Sequence, residues 1–100
     1  MILAYITCKD GEQADSIGRV LLDKKLAGCV NIFPIASMYL WKGKIGEGSE
    51  VVLLAKTTEA KYNDVVKEVE RVHSYDIPCI MKIPVACNKK YKDWLESEIK

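Results

Sequence analysis

The chain has 100 residues, of which 49% are hydrophobic and 29% are charged, and its formal net charge is +1. This length and composition predict a single globular domain over residues 1–100, and the balanced charge gives no basis for a nucleic-acid or membrane partner. No apolar run approaches the roughly 20 residues that span a bilayer. Since the N-terminal residues also lack the features of a signal peptide, we expect a cytoplasmic protein.

The first quarter of the chain predicts a strand followed by a helix. Residues 2–7 form a compact apolar run that is typical of a buried strand. Asp10 can cap the helix, and Gln13, three residues later, can reach back as in a capping box. We expect the helix to end at Gly28 in the left-handed conformation that glycine accepts without strain.

The middle of the chain predicts an unusually long hairpin. Residues 29–41 indicate one strand, in which Pro34 requires a bulge or a sheet edge because it cannot donate a ladder hydrogen bond. The glycine-rich stretch at 42–49 predicts a turn, and residues 50–57 the return strand. Because the first arm exceeds the roughly 5–6 residues of an ordinary strand, we expect a partner to cover it.

The second half predicts a helix, a strand and a final helix. Thr58 is the expected cap of a helix with a valine-rich stripe that ends near His73. Residues 77–85 alternate as a strand does, and Pro84 again indicates a sheet edge. Asn88 is the expected cap of the last helix. The order β-α-β-β-α-β predicts an α+β, ferredoxin-like sandwich with an extra C-terminal helix, and this topology puts the second and fourth strands at the edges.

Several kinds of binding or catalytic site fit the sequence poorly. An RNA-recognition sheet would carry exposed aromatic side chains on its third strand, which has none here. A zinc ribbon, a thioredoxin-like site or a metallochaperone loop would need a C-x-x-C motif, which the four cysteines do not form: Cys8, Cys29, Cys79 and Cys87. A nucleophilic enzyme would need a base, and His73 is the only imidazole. We therefore expect reduced thiols and no enzymatic activity.

Five short motifs together carry a resemblance that covers nearly the whole chain. In order, they are GCVN at 28–31, LWKGKI at 40–45, AKTT at 55–58, HSYDIP at 73–78 and YKDWL at 91–95.

In motif order and spacing the chain resembles the CutA family of divalent-cation tolerance proteins. The resemblance implies a homotrimer of ferredoxin-like subunits, similar in fold to the PII signalling proteins, with links to copper and other divalent metals. The sequence departs from the family pattern at Ser74, where proline is usual, at Leu40, where an aromatic residue is frequent, and at Gly28, where alanine is usual. In such a trimer the long hairpin would pair with neighbouring subunits, and Trp41 would either anchor the interface or cover the sheet of its own subunit.

His73, in the last turn of the second predicted helix, allows three interpretations. It can be a structural cap that donates to the free carbonyl groups at the helix end. It can be a metal ligand together with Cys29 and Cys8, at one end of the sheet or across a trimer interface, since imidazole and thiolate suit copper and zinc.

In the third interpretation, this corner lines a cleft between subunits that binds a small anion or metabolite. The rim of that cleft would consist of Lys56, Tyr75, Asp76 and Trp41. The sequence thus predicts a cytoplasmic homotrimer for divalent metal tolerance, acting by metal binding or signalling, with no required cofactor and a divalent ion such as copper as a possible ligand. The alternative is a PII-like regulatory trimer that binds a metabolite or partner protein.

Overall fold

The computed structural model describes residues 1–100 and contains one four-stranded sheet, three α-helices and a short 3-10 helix. The sheet order is β2-β3-β1-β4, and every neighbouring pair is antiparallel. This order confirms the predicted ferredoxin-like topology, with the two proline-containing strands at the edges. The elements are β1 (Ile2–Cys8), α1 (Gly11–Asp23), β2 (Cys29–Trp41), β3 (Lys44–Thr57), the 3-10 helix (Glu59–Lys61), α2 (Tyr62–Val72), β4 (Ile80–Pro84) and α3 (Lys89–Glu98).

The hairpin of β2 and β3 is longer and more regular than the sequence predicted. Its pairing runs without interruption from Cys29 opposite Lys56 to Trp41 opposite Lys44, so Pro34 is accommodated by the open edge and not by a bulge. Only Lys42 and Gly43 form the turn, with φ values of 51° and 78°, as a two-residue hairpin turn requires. The predicted turn over 42–49 was therefore wrong in extent, because β3 begins at Lys44.

Gly46 shows why a glycine stands inside β3. It lies opposite Tyr39, and a Cβ atom on Gly46 would lie 2.7 Å from the Tyr39 ring. The ring thus packs over the backbone at a position where any side chain would displace it. We call the part of the hairpin formed by residues 35–50 the arm; it extends along the long axis of a molecule that measures 45 × 25 × 21 Å.

The start of α1 is capped as predicted, whereas its end is not. The Asp10 side chain accepts a hydrogen bond from the Gln13 amide at 2.8 Å, and the Gln13 side chain accepts one from the Lys9 amide at 2.8 Å. The left-handed residue after α1 is Lys25, with φ of 55°, and not Gly28. Gly28 is required by packing instead, because a Cβ atom there would lie 2.7 Å from Cδ1 of the buried Leu95.

Two predicted caps and one strand boundary also differ from the structure. Thr58 and Asn88 precede helices but make no capping hydrogen bond through their side chains. Strand β4 is confined to Ile80–Pro84, because residues 77–79 belong to the segment that turns away from α2. We call residues 73–79 the corner.

Helices α1 and α2 cover one face of the sheet and form the core with it. Alternate residues of β1 and β3 point into this core, as the period-2 pattern requires. The buried cluster comprises Ala4, Ile6, Cys8, Ala14, Ile17, Leu21, Ala27, Leu53, Ala55, Val65 and Val69. No helix is long and apolar enough to cross a membrane.

The opposite face of the sheet is apolar and largely uncovered. We call it the open face, and its register carries Leu3, Tyr5, Phe33, Leu54, Met81 and Ile83. Phe33, Met81 and Ile83 are exposed by 39%, 48% and 38%. Helix α3 contacts one end of this face, where the Lys56 ammonium donates a hydrogen bond to the Tyr91 hydroxyl. An apolar sheet face left open in this way is a feature of subunits that pack against a partner.

Candidate functional site

A groove of about 720 Å³ lies between the arm and the corner. Its volume falls within the roughly 300–1,000 Å³ of ordinary small-molecule sites. Three aromatic and three charged side chains give the groove its chemical character: Tyr39, Trp41, Tyr75, Lys9, Glu50 and Asp76. Tyr39, Trp41 and Glu50 reach it from the open face, because alternate residues of β2 and β3 point to the same side of the sheet.

Three of the four residues predicted for a ligand cleft meet in this groove. Trp41 comes from the end of β2, and Tyr75 and Asp76 come from the corner. Lys56 does not join them, because it lies six residues beyond Glu50 on β3, about 20 Å away at 3.3 Å per residue. The hydrogen bond to Tyr91, 3.2 Å long, raises the pKa of Lys56. Lys56 of the same chain is therefore not part of this groove, and its place in the predicted cleft between subunits stays a prediction.

His73 ends α2 and uses both of its ring nitrogens within the chain. Nε2 lies 2.8 Å from the carbonyl oxygen of Thr7, and the Tyr75 amide donates to Nδ1 at 3.1 Å. A carbonyl oxygen only accepts and an amide N–H only donates, so Nε2 carries the proton and Nδ1 provides the lone pair. In this arrangement no ring nitrogen is free for a metal, and the role of His73 as a metal ligand stays a prediction. Its main-chain N–H donates to the Val69 carbonyl, whereas its ring fixes the corner.

Neither predicted cysteine ligand is placed to bind a metal together with His73. Cys8 lies in the core with no exposed surface, and burial, with the nearby carboxylates of Asp10 and Glu50, raises the pKa of Cys8 to about 11. Cys29 lies opposite Lys56, at the far end of the sheet from Thr7 and Cys8. No three His, Cys, Asp or Glu side chains of the chain group as a metal centre. Cys29 therefore does not meet His73 and Cys8 at one end of the sheet within one chain, and their approach across a trimer interface stays a prediction.

Tyr75 is the residue that joins the corner to the sheet. Its hydroxyl donates to Oε2 of Glu50 at 2.7 Å, and its ring packs on His73 with centroids 4.6 Å apart. Burial, and then the hydrogen bond to Glu50, raise the pKa of Tyr75 above its usual range. The phenol therefore stays protonated at neutral pH and remains the donor to Glu50.

The sequence analysis missed Glu50, Tyr39 and Lys9 as groove residues. Two-residue spacing was the available signal, since Glu50 shares a face of β3 with Lys56, and Tyr39 shares a face of β2 with Trp41. Glu50 was predicted as the first residue of the return strand, but its side chain was not recognised as part of a site.

The groove has the chemistry of a binding site. Aromatic rings can stack on a planar or cationic group, and the carboxylates can accept hydrogen bonds from it. Cys79 lies in the wall, but His73 has no free nitrogen to act as its base.

The chain matches known proteins over almost its entire length. The sequence profile of the family described as "CutA1 divalent ion tolerance protein" matches residues 2–98. The divalent-cation tolerance protein CutA of Archaeoglobus fulgidus is 44% identical over 96 residues, covering 95% of this chain and 94% of that protein. Its counterpart from Thermotoga maritima is 39% identical over 100 residues, with 99% of both chains covered.

Solved structures show the same fold. A structure of CutA from Archaeoglobus fulgidus, described as a periplasmic divalent cation tolerance protein, matches with a TM-score of 0.97 and 42% identity over 100% of both chains. The CutA1 structure from Thermus thermophilus matches with a TM-score of 0.91 and 38% identity over 95% of both chains.

Proposed function

Because the chain belongs to the CutA1 divalent ion tolerance family, we propose that it acts in tolerance to copper and related divalent ions as a homotrimeric regulatory module. In this proposal a small molecule binds in the groove, and the protein has no catalytic role. The observation that carries the proposal is the groove itself, where Tyr39, Trp41 and Tyr75 face Glu50 and Asp76. Regulation through this site is favoured over direct metal binding, since the predicted metal ligands are apart and His73 is occupied.

The proposed trimer rests on the arm and the open face. On the arm, Met38, Leu40 and Ile45 are exposed by 77%, 78% and 74%. Strands β2 and β4 each leave one edge unpaired, and an open edge with exposed apolar side chains is a strong site for association. If the arm and the open face were buried between copies, the unpaired strand edges and the exposed apolar side chains would both be covered.

The trimer is tested by measuring the molar mass in solution by light scattering. The wild-type protein is expected at three times 11.3 kDa. Leu40→Lys places a charge on the arm, away from the core, and should shift the mass toward that of a monomer. Leu22→Lys is the matched control, because Leu22 is an exposed leucine on α1. A monomeric wild-type protein would refute the trimer.

The groove would lie between subunits, because it opens on the same side of the sheet as the open face. Lys56 also lies on that face, and we include in the proposal that Lys56 of a neighbouring copy contributes to the site. The only hydrogen-bond partner of its ammonium group within the chain is the Tyr91 hydroxyl, whereas the groove carries two carboxylates and one lysine. Such charge complementarity between copies would favour this arrangement.

Ligand binding is tested with a panel of nucleotides, organic acids and amines in a thermal-shift assay. A compound that raises the melting temperature is then titrated into Trp94→Phe, in which Trp41 is the only tryptophan left. Binding in the groove should change the Trp41 fluorescence. Lys56→Ala should lower the affinity for the compound, whereas Lys67→Ala, on α2, should leave the affinity unchanged. A panel without any hit against a stable trimer would contradict the regulatory role.

Direct metal binding is the competing explanation and can be separated by native mass spectrometry with a small excess of Cu(II), Cu(I) or Zn(II). Under our proposal, His73→Ala leaves the number of bound ions unchanged. A fixed number of ions per trimer that is lost in His73→Ala would refute the regulatory proposal and restore the metal site. A cytoplasmic location remains part of the proposal, supported by the four free cysteines.

A further inference from the structure

The His73 ring holds two separate segments of the groove region together. One nitrogen contacts the Thr7 carbonyl at the end of β1, and the other accepts from the Tyr75 amide in the corner. The bond to Thr7 requires a proton on Nε2, and the bond from the Tyr75 amide requires an unprotonated Nδ1, so the two coexist only in the neutral ring with its proton on Nε2. Tyr75 in turn donates through its hydroxyl to Glu50 on β3. A continuous set of contacts therefore runs from His73 to the groove wall.

We propose that His73 is a positioning residue that makes this groove wall sensitive to protonation. A proton added at Nδ1 would turn the acceptor of the Tyr75 amide into a donor, so two N–H groups would face each other. The hydrogen bond then breaks, and the backbone of Tyr75 is released. Its ring moves with it, the contact with Glu50 is lost, and the groove loses one wall.

Neither the Cys8 thiol nor the Tyr75 phenol near His73 changes its protonation around neutral pH. Cys8 and Tyr75 stay protonated around neutral pH, because burial raises the pKa of both. Histidine is the side chain that changes charge between about pH 5 and 8. The ring contacts Thr7 and Tyr75. The titratable and charged groups on the segments that meet at the corner are Cys8 and Lys9 on and after β1, Asp10 at the start of α1, Glu50 on β3, Glu70 and Arg71 in the last turn of α2, and Tyr75 and Asp76 in the corner itself.

The inference rests on the proposed ligand groove for its biological meaning, but its test uses the free protein. The experiment is an NMR titration of the ¹⁵N-labelled chain from pH 8 to pH 5. His73 is the only histidine, so the imidazole signals need no further assignment. We expect the Nε2-protonated tautomer at pH 8. As the ring gains a proton, the Tyr75 amide signal should shift with the same midpoint, and its hydrogen-exchange protection should fall about tenfold, as for the loss of one hydrogen bond.

Two variants separate positioning from general stabilisation. In His73→Asn, the amide oxygen can take the place of Nδ1 and accept from Tyr75 without titrating, so the Tyr75 amide should become independent of pH. In Tyr75→Phe, the amide should still respond, because only the hydroxyl contact with Glu50 is removed. If His73→Asn does not fold, the wild-type comparison between the imidazole and amide midpoints decides the question.

Either of two results would overturn the inference. The first is a Tyr75 amide that stays fixed while the imidazole titrates in the wild-type protein. The second is an unchanged Tyr75 response in a folded His73→Asn variant. A Tyr75 amide signal that follows the imidazole midpoint, together with a ligand panel that gives no hit, would instead refute the proposed function. The coupling between His73 and Tyr75 would remain.

Discussion

Replacing Tyr75 by phenylalanine removes one hydrogen bond and leaves the ring in place. The bond joins the phenol to a carboxylate oxygen of Glu50 over 2.7 Å. Hydrogen bonds to charged groups contribute about 1.5–3 kcal/mol to stability. Because both side chains are only partly buried, we expect the lower end of that range, about 1.5 kcal/mol.

The assay is urea unfolding at one fixed protomer concentration, because the proposed trimer would make the stability depend on concentration. With an m-value of about 1–3 kcal/mol/M, the midpoint should fall by roughly 0.5–1.5 M. A double-mutant cycle with Glu50→Gln isolates the pair and should give a coupling of about 1 kcal/mol. Tyr5→Phe is the control, because the Tyr5 hydroxyl makes no hydrogen bond within the chain. A coupling below about 0.3 kcal/mol would refute our account of the groove wall.

Three further predictions concern the core and the packing of α3. The pKa of Cys8 is raised from 9.0 to about 11 in the folded protein. The unfolded chain therefore loses the thiol proton at a lower pH than the folded protein does, so the free energy of unfolding is unaffected below pH 9 and falls as the pH rises toward 11. Urea unfolding across this range should lose roughly 2–3 kcal/mol more in the wild type than in Cys8→Ala. Iodoacetamide at pH 8 should leave Cys8 unmodified until denaturant is added, and mass spectrometry of the native protein with Cys8 alkylated would contradict its burial. Gly28→Ala should destabilise by about 1 kcal/mol, because overpacking against Leu95 costs more than the alanine gains in the unfolded chain; a more stable variant in urea unfolding would contradict this.

The fold could be predicted because the sequence patterns and the topology agree. The valine stripe of α2 has helical spacing, and Val65 and Val69 are indeed fully buried. Pro34 and Pro84 each exclude a central strand, and both lie at sheet edges. The extent of β3 could not be predicted, because glycine normally indicates a turn. Gly46 stands in the strand for a reason that appears only in three dimensions, the Tyr39 ring above it.

The candidate site could be predicted only in part. Resemblance to the family selected Trp41, Tyr75 and Asp76, which the structure brings together. Lys56 was predicted for a cleft between subunits, and its position along β3 places it at the other end of the sheet from the groove of its own chain. Glu50 was overlooked for the complementary reason: its place opposite the corner depends on the register of β3 and on the turn that α2 makes at His73.

The two open edges of the sheet have a consequence for how copies can assemble. The edge of β2 is long and the edge of β4 is short, so a contact that joins one to the other is heterologous. A heterologous contact either closes into a ring or continues into a filament, depending on the rotation between successive copies. For a ring of three this rotation is 120°, and the right-handed twist of the strands helps to set it. A substitution that alters this twist would therefore change the rotation between successive copies, and the same contact would then close into a different ring or continue into a filament.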